Sequence, residues 1–446
     1  MILATLSALA ASSLSVGTLA CPDIPERLRA GTSTAPAVSG LQIAILKDGA
    51  VVCSRAAGAA QWTADGAMVP LTTEHTMRVA SISKLAVALG VMRLVEDGKL
   101  DLDADLARTL GFPLRNPAFP DEPITLRRVL SHTSSVRDGK RYWLDASETL
   151  ADFFTPGTER YEGGAHFSVE PGEDPGTYFN YSNLNFSLAA AAIEMASGQR
   201  FDVFLETNVL KPLGIDGASF NPCRTVAHGR PLATLYRKRR GEDAWDPGGP
   251  WIPQVDADEL TCAVGLPAVS RSDPNLGADP LTDYPLGSNP TYFSPQGGLR
   301  ASAEDIAQLL TALRRCDNPL LTTATAETML ATQWQLNADN TNGTTTEFND
   351  DQGSFDGLMT RYGLSVHWID LNRWNQGPET PVLAGHLGDA YGLLGMALID
   401  PDTGDGFVAL ITGTSDDPAK NPTGRTPLYR IEEDILTWIL ETFSQP

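Results

Sequence analysis

The chain has 446 residues, of which 42% are hydrophobic and 20% charged, enough apolar sequence for a sizeable core. Its formal net charge of −22 disfavours nucleic acid and anionic membrane as partners and leaves small molecules or short peptides. Only seven of the 33 basic residues are Lys, so each Lys stands out.

Residues 1–20 are apolar, small and uncharged, and read as a secretory signal peptide with cleavage near Ala20. The chain is therefore expected to be exported, periplasmic or secreted. Cys21 after Leu19-Ala20 also admits a lipid anchor on that cysteine. No later run is long and apolar enough to predict a membrane span. An exported chain can form disulfides, and Cys223 with Cys262 is the first pair expected, because both lie in one irregular region. With no Cys-x-x-Cys, no His-Glu-x-x-His and six scattered His, neither a metal nor another cofactor is expected.

Along the chain, 40–57 predicts a β-hairpin. Leu41, Ile43 and Ile45 alternate, Asp48-Gly49 is a tight-turn dipeptide, and Val51 and Val52 resume the strand. Residues 83–96 predict a helix, with Leu85, Ala88, Leu89, Met92 and Val95 at helical spacing and Gly98 as the stop. A second helix is predicted over 184–196, ending at Gly198. Residues 240–292 are rich in Pro, Gly and Asp, and 333–357 in Asn, Thr and Asp. Both read as long loops of the kind that cover a site. A hairpin over 395–412 and an amphipathic helix carrying Tyr429, Ile431, Ile435, Trp438 and Ile439 close the chain. Strands at both ends with helices between them predict one sheet built from both termini and an inserted helical lobe. The domain is drawn as 21–446, with an α/β part at about 38–96 and 293–446 and the lobe with its insertions at about 97–292.

Three short segments carry candidate chemistry. In Ser81-Ile82-Ser83-Lys84 the Ser and the Lys lie one helical turn apart, so their side chains can touch. A Ser hydroxyl needs a base, and a Lys serves only where burial or a nearby cation lowers its pKa. Val79, Ala80, Ile82 and Leu85 supply apolar surroundings, and no other Lys has a Ser three residues before it. In Tyr181-Ser182-Asn183 the Tyr can shuttle a proton, and the Asn can bond a substrate amide and the Lys. In Gly385-His386-Leu387-Gly388 the glycines suit close backbone approach to a ligand, and His386 offers positive charge or a donor.

The order Ser-x-x-Lys, Tyr-x-Asn, His-x-Gly resembles the serine β-lactamase and DD-peptidase superfamily, in its class C branch with D-alanyl-D-alanine carboxypeptidases, D-aminopeptidases and family VIII esterases. Three further segments extend the resemblance over roughly residues 38–445: 124–134 before the helical lobe, Lys211-Pro212-Leu213-Gly214-Ile215, and Gly297-Gly298-Leu299-Arg300 opening a late helix. The resemblance implies an α/β, β-lactamase/transpeptidase-like fold whose antiparallel sheet is flanked by helices. It implies Ser81 as acyl-enzyme nucleophile and Lys84 and Tyr181 sharing proton transfer. Asn183, His386 and Gly388 would contact substrate, and the backbone N–H groups of Ser81 and Asp389 would form the oxyanion hole.

There are departures. His386 stands where dedicated β-lactamases carry Lys, which favours a peptidase or esterase. Ser135 stands at a common Gly position, and Asp389 would repel an anionic substrate if its side chain points inward. The expected activity is hydrolysis of an ester, a D-amino-acid amide or peptide, or a β-lactam. The alternative is a catalytically silent ligand-binding protein on the same fold. An α/β-hydrolase is excluded, because Gly-x-Ser-x-Gly is absent.

Overall fold

In the computed structural model, which describes residues 21–145, 147–240, 244–256, 281, 284–344, 358–371, 382–418 and 426–443, the first hairpin forms as its turn dictates. Asp48 and Gly49 both take positive φ (50° and 77°), the conformation a two-residue hairpin turn requires. The nine strands of the main sheet are labelled in chain order: β1 Gly40–Lys47, β2 Ala50–Trp62, β3 Met68–Pro70, β4 Trp334–Gln335, β5 Arg361–Tyr362, β6 His367–Asp370, β7 Val382–Ala390, β8 Leu393–Ile399 and β9 Gly406–Ile411. Their spatial order is β4-β5-β6-β7-β8-β9-β1-β2-β3, antiparallel throughout. The two ends of the chain meet where β1 pairs β9, with Leu41 opposite Ile411 and Ile45 opposite Phe407. The sheet built from both termini, expected from the sequence, is what forms.

Alternation along β1 sorts the core into two layers. Leu41, Ile43 and Ile45 pack with Ile431, Ile435, Trp438 and Ile439 of the C-terminal helix Arg430–Phe443. Ala44 and Leu46 face the larger core that holds the helices Ser83–Glu96, Leu184–Ser197 and Ala303–Leu310, here α1, α2 and α3. Each buried Leu or Ile contributes about 1.5–3 kcal/mol. Gln42 is the polar exception on that face, and its partners explain it. Nε2 donates to Thr72 O (2.6 Å) and His75 O (2.9 Å), and Oε1 accepts from Ala303 N (2.9 Å) at the start of α3. α1 packs on α2, and both are buried along most of their length.

Part of the first long loop is strand. Ile252–Val255 pairs with Leu235–Arg237, which pairs in parallel with Gly413–Thr414. Ile252–Val255 is an edge strand holding Pro253, and a four-residue run with a proline carries no alternation to read. Residues 257–280 of that loop and 345–357 of the second lie outside the described residues, as do the expected signal peptide and Cys262. Cys223 is disulfide-bonded, and Cys316 is free and exposed. The lipid anchor at Cys21 is corrected. Cys21 is bonded to Cys53 with Cα atoms 5.3 Å apart, so its sulfur is already committed. No helix among the described residues is long and apolar enough to cross a membrane.

Candidate active site

Ser81 lies in a 3-10 turn, Ala80–Ile82, that leads from the short strand Met77–Arg78 into α1. Ala80 takes φ 47°, a left-handed bend that costs a non-glycine residue about 1–2 kcal/mol. The surroundings hold the bend in place. Val79 N donates to Leu299 O (2.9 Å), Leu299 N donates to Ser83 Oγ (3.0 Å), and Arg78 Nε donates to Gly297 O (2.9 Å). On the other side β7 presses against the turn. A Cβ on Gly388 would sit 2.8 Å from Val79 O, so only glycine admits this approach.

Lys84 emerges one turn after Ser81 and is fully buried. Its Nζ donates to Ser81 Oγ, Asn183 Oδ1 and Gln296 O, each at 2.9 Å. Ser81 caps no helix N–H; its hydroxyl faces the Lys. Tyr181, also buried, brings its ring centroid to 4.7 Å from Lys84 Nζ. Four of the residues singled out in the sequence, Ser81, Lys84, Tyr181 and Asn183, therefore converge.

His386 is brought to the edge of this group, 6.2 Å from Tyr181 between ring centroids, but not as a cation. Its Nδ1 lies 2.6 Å from Leu387 O. A carbonyl only accepts, so Nδ1 carries the proton and Nε2 accepts from Tyr362 Oη at 3.0 Å. Burial, then the positive charge of Lys84, hold the imidazole well below its usual pKa and therefore neutral. Of the two roles open to His386, positive charge or a donor, the positive charge is not held here, and the donor Nδ1–H is turned to Leu387 O. The side chain of Asp389 does not point inward. Successive side chains of β7 alternate, so with His386 and Gly388 on the Ser81 side, Asp389 faces the other way. There Tyr429 Oη donates to its Oδ2 (3.2 Å). Burial raises the Asp389 carboxyl above its usual pKa, and Arg237 pulls it back.

The sequence profile of the β-lactamase family matches residues 28–427. The chain belongs to the β-lactamase family. Esterase EstB of Burkholderia gladioli is 28% identical over 286 residues, which cover 60% of this chain and 64% of EstB. The D-alanyl-D-alanine-carboxypeptidase/endopeptidase AmpH of Escherichia coli K12 is 28% identical over 152 residues, 33% of this chain and 38% of AmpH. The chain thus spans less than two thirds of the length of either relative. The solved D-amino acid amidase of Ochrobactrum anthropi SV3 superposes with a TM-score of 0.58 at 19% identity, over 91% of this chain and 94% of that one, which shows a shared fold. The resemblance drawn from the motifs holds for the family and for the fold.

Side chains outside the three short motifs surround the motif residues. Asp138 accepts from Leu184 N (2.8 Å) and Ser182 Oγ (2.9 Å) through Oδ1, and from Asn183 Nδ2 (3.0 Å) through Oδ2. It caps α2 and also fixes which end of the Asn183 amide faces Lys84. His132 accepts from Ser182 N at Nδ1 (3.0 Å) and stacks on Tyr181, with centroids 4.3 Å apart and planes at 24°. Burial, with the positive charge of Lys84 adding to it, keeps His132 neutral. Its segment is built for the task, because Asn180 N donates to His132 O (3.0 Å). Ser135 adopts the left-handed φ of 64° that a glycine would, so the turn is kept, and Asn116 Nδ2 bonds its hydroxyl (3.0 Å).

Proposed function

We propose that this protein is an exported serine hydrolase that forms an acyl-enzyme on Ser81 and cleaves an ester, a D-amino-acid amide or peptide, or a β-lactam. The observation that carries the reading is the set of oxygens around Lys84 Nζ. Asn183 Oδ1 and Gln296 O only accept, so they hold N–H groups whether Lys84 is charged or neutral. Ser81 Oγ can also donate. When Lys84 is neutral, its lone pair is left facing the Ser81 hydroxyl at 2.9 Å, within reach for proton transfer.

The chemistry then runs in two halves. The Ser81 proton passes to the Lys84–Tyr181 pair as Oγ bonds to the substrate carbonyl carbon. The backbone N–H groups of Ser81 and Asp389 hold the oxyanion. The carbonyl's bond to the leaving group breaks, and the proton goes to the departing oxygen or nitrogen. Water, deprotonated by the same pair, attacks the acyl carbon and releases Ser81 Oγ, which regains a proton. Asn183 holds Lys84 in line and offers its amide to substrate. The convergence of Ser81, Lys84, Tyr181 and Asn183 weighs against a silent binding protein. The disulfide at Cys21 fits an oxidising compartment.

The test is a panel of aryl esters, D-amino-acid amides, D-Ala-D-Ala peptides and a chromogenic cephalosporin, run on wild type and Ser81→Ala. Turnover of at least one class by wild type, lost in Ser81→Ala, is expected. Equal turnover by both proteins refutes the assignment.

A further inference from the structure

Arg78 is a buried cation that takes no part in the proton transfers at Ser81. It ends the short strand that leads into the Ser81 turn and is 4% exposed. Burial pushes the guanidinium down from its usual pKa, but an Arg starts so high that it stays charged. One of its nitrogens has a clear task, because Nε donates to Gly297 O at 2.9 Å. Nη1 is buried with no hydrogen-bond partner among the described residues. Asp256, a carboxylate whose charge reaches Arg78, is already held by Arg300 through Nε (3.1 Å) and Nη2 (2.9 Å). Burying a charge is costly, and Gly297 O needs only one neutral donor. The charge itself therefore calls for a reason.

Its place supplies one. In the proposed mechanism the oxyanion lies between the N–H groups of Ser81 and Asp389. Arg78 precedes Ser81 by three residues, a span of at most about 11 Å. Its guanidinium carbon lies 4.8 Å from the ring centroid of Tyr391, which follows Asp389 by two residues. Between these two points β7 presses on the Ser81 turn, where a Cβ on Gly388 would meet Val79 O. The guanidinium is thus tied to both strands that carry the oxyanion donors, in a setting where water screens it little. Lys84, the other cation beside Ser81, gains and loses a proton during turnover. Arg78 keeps its charge throughout.

We propose that Arg78 is a fixed positive charge behind the oxyanion hole, which stabilises the negative tetrahedral intermediates on Ser81 through its field rather than by contact. It is a positioning residue for the oxyanion, and its role deepens the reading of Ser81 as an acylated nucleophile and rests on it. Two opposite charges about 10 Å apart, at an effective dielectric constant of about 20, change a rate roughly 15-fold.

The test compares Arg78→Gln with Arg78→Lys. The Gln Nε2 stands where the Arg Nε does and can keep the bond to Gly297 O without the charge, whereas Lys keeps the charge. Arg78→Met, an apolar chain suited to burial, replaces the Gln variant if that one does not fold. For a neutral aryl ester, Arg78→Gln is expected to lower kcat roughly 15-fold with KM changed by less than about twofold. Phenylboronic acid bonds to Ser81 Oγ and becomes a tetrahedral anion there, so its affinity is expected to fall by the same factor. Arg78→Lys is expected to stay within about threefold of wild type in both measurements. The midpoint of the pH–rate profile is expected not to move, because the charge acts on the oxyanion and not on Lys84. The proposal is overturned by a loss that shifts that midpoint, by an equal loss in the Lys and Gln variants, or by a folded Arg78→Gln protein within about twofold of wild type. The nucleophile is judged separately. Turnover lost in Ser81→Ala leaves Ser81 standing whatever the Arg78 variants do, and turnover retained there overturns the nucleophile and this proposal with it.

Discussion

Asp138→Asn is the sharpest probe of how the Lys84 environment is assembled. The carboxylate accepts three hydrogen bonds, from Leu184 N, Ser182 Oγ and Asn183 Nδ2. An Asn has one oxygen and one amide nitrogen. Its oxygen can keep Leu184 N and Ser182, because that preserves the cap of α2, and its –NH2 then faces the –NH2 of Asn183. Relief comes when Asn183 rotates its amide, which turns Nδ2 toward Lys84 Nζ in place of the Oδ1 now at 2.9 Å. Lys84 loses an acceptor and meets a donor. A hydrogen bond to a charged group is worth about 1.5–3 kcal/mol, so kcat should fall about 10- to 150-fold. KM for a small aryl ester should change little, because the group lost acts on the proton transfer. Stability should drop by only about 1 kcal/mol, since the cap survives. Steady-state hydrolysis and thermal unfolding followed by circular dichroism read both. A folded Asp138→Asn protein with kcat within twofold of wild type would refute the idea that Asp138 orients Asn183.

Other consequences are as specific. Lys84→Met should lower kcat by about 10²–10⁴-fold, the usual worth of a positioned base, as measured by aryl-ester turnover. Tyr362→Phe leaves His386 Nε2 buried without its donor and should cost about 1–3 kcal/mol in urea unfolding. Burial pushes the Glu432 carboxyl up to about 8 from its ordinary 4.5, against the Tyr429 N–H that lowers it. The native state therefore keeps a proton that the unfolded chain releases, and stability falls as pH rises from 4.5 to about 8, by up to about 5 kcal/mol. Glu432→Gln should flatten that slope in a pH series of thermal melts, and an unchanged slope would show that Glu432 does not titrate in this range.

Local signals in the sequence were strong where one residue type decides a conformation. Asp48-Gly49 set the hairpin because both positions need positive φ, and the apolar period of residues 83–96 marked a helix that the core requires on every turn. Ser81 and Lys84 were legible because helical spacing alone puts them in contact. Asp138 was not, because it lies 45 residues from Asn183 and reaches it, and the start of α2, only through the fold. Gln296 was invisible for another reason: it acts through its carbonyl, which every residue has. The charge of His386 could not be judged from its motif, since Tyr362, 24 residues earlier and two strands away, consumes Nε2. The outward direction of Asp389 follows from the period of two along β7, once His386 and Gly388 are placed inward.

The central claim is that Ser81 becomes covalently acylated, with Lys84 or Tyr181 taking its proton. The direct measurement is the mass of the acid-quenched protein during turnover of an aryl ester, with peptide mapping of the adduct. One acyl group per chain, located on the peptide that contains Ser81 and absent from Ser81→Ala, is the predicted result. Full turnover with no adduct at any quench time, or an adduct on another residue, would contradict the account.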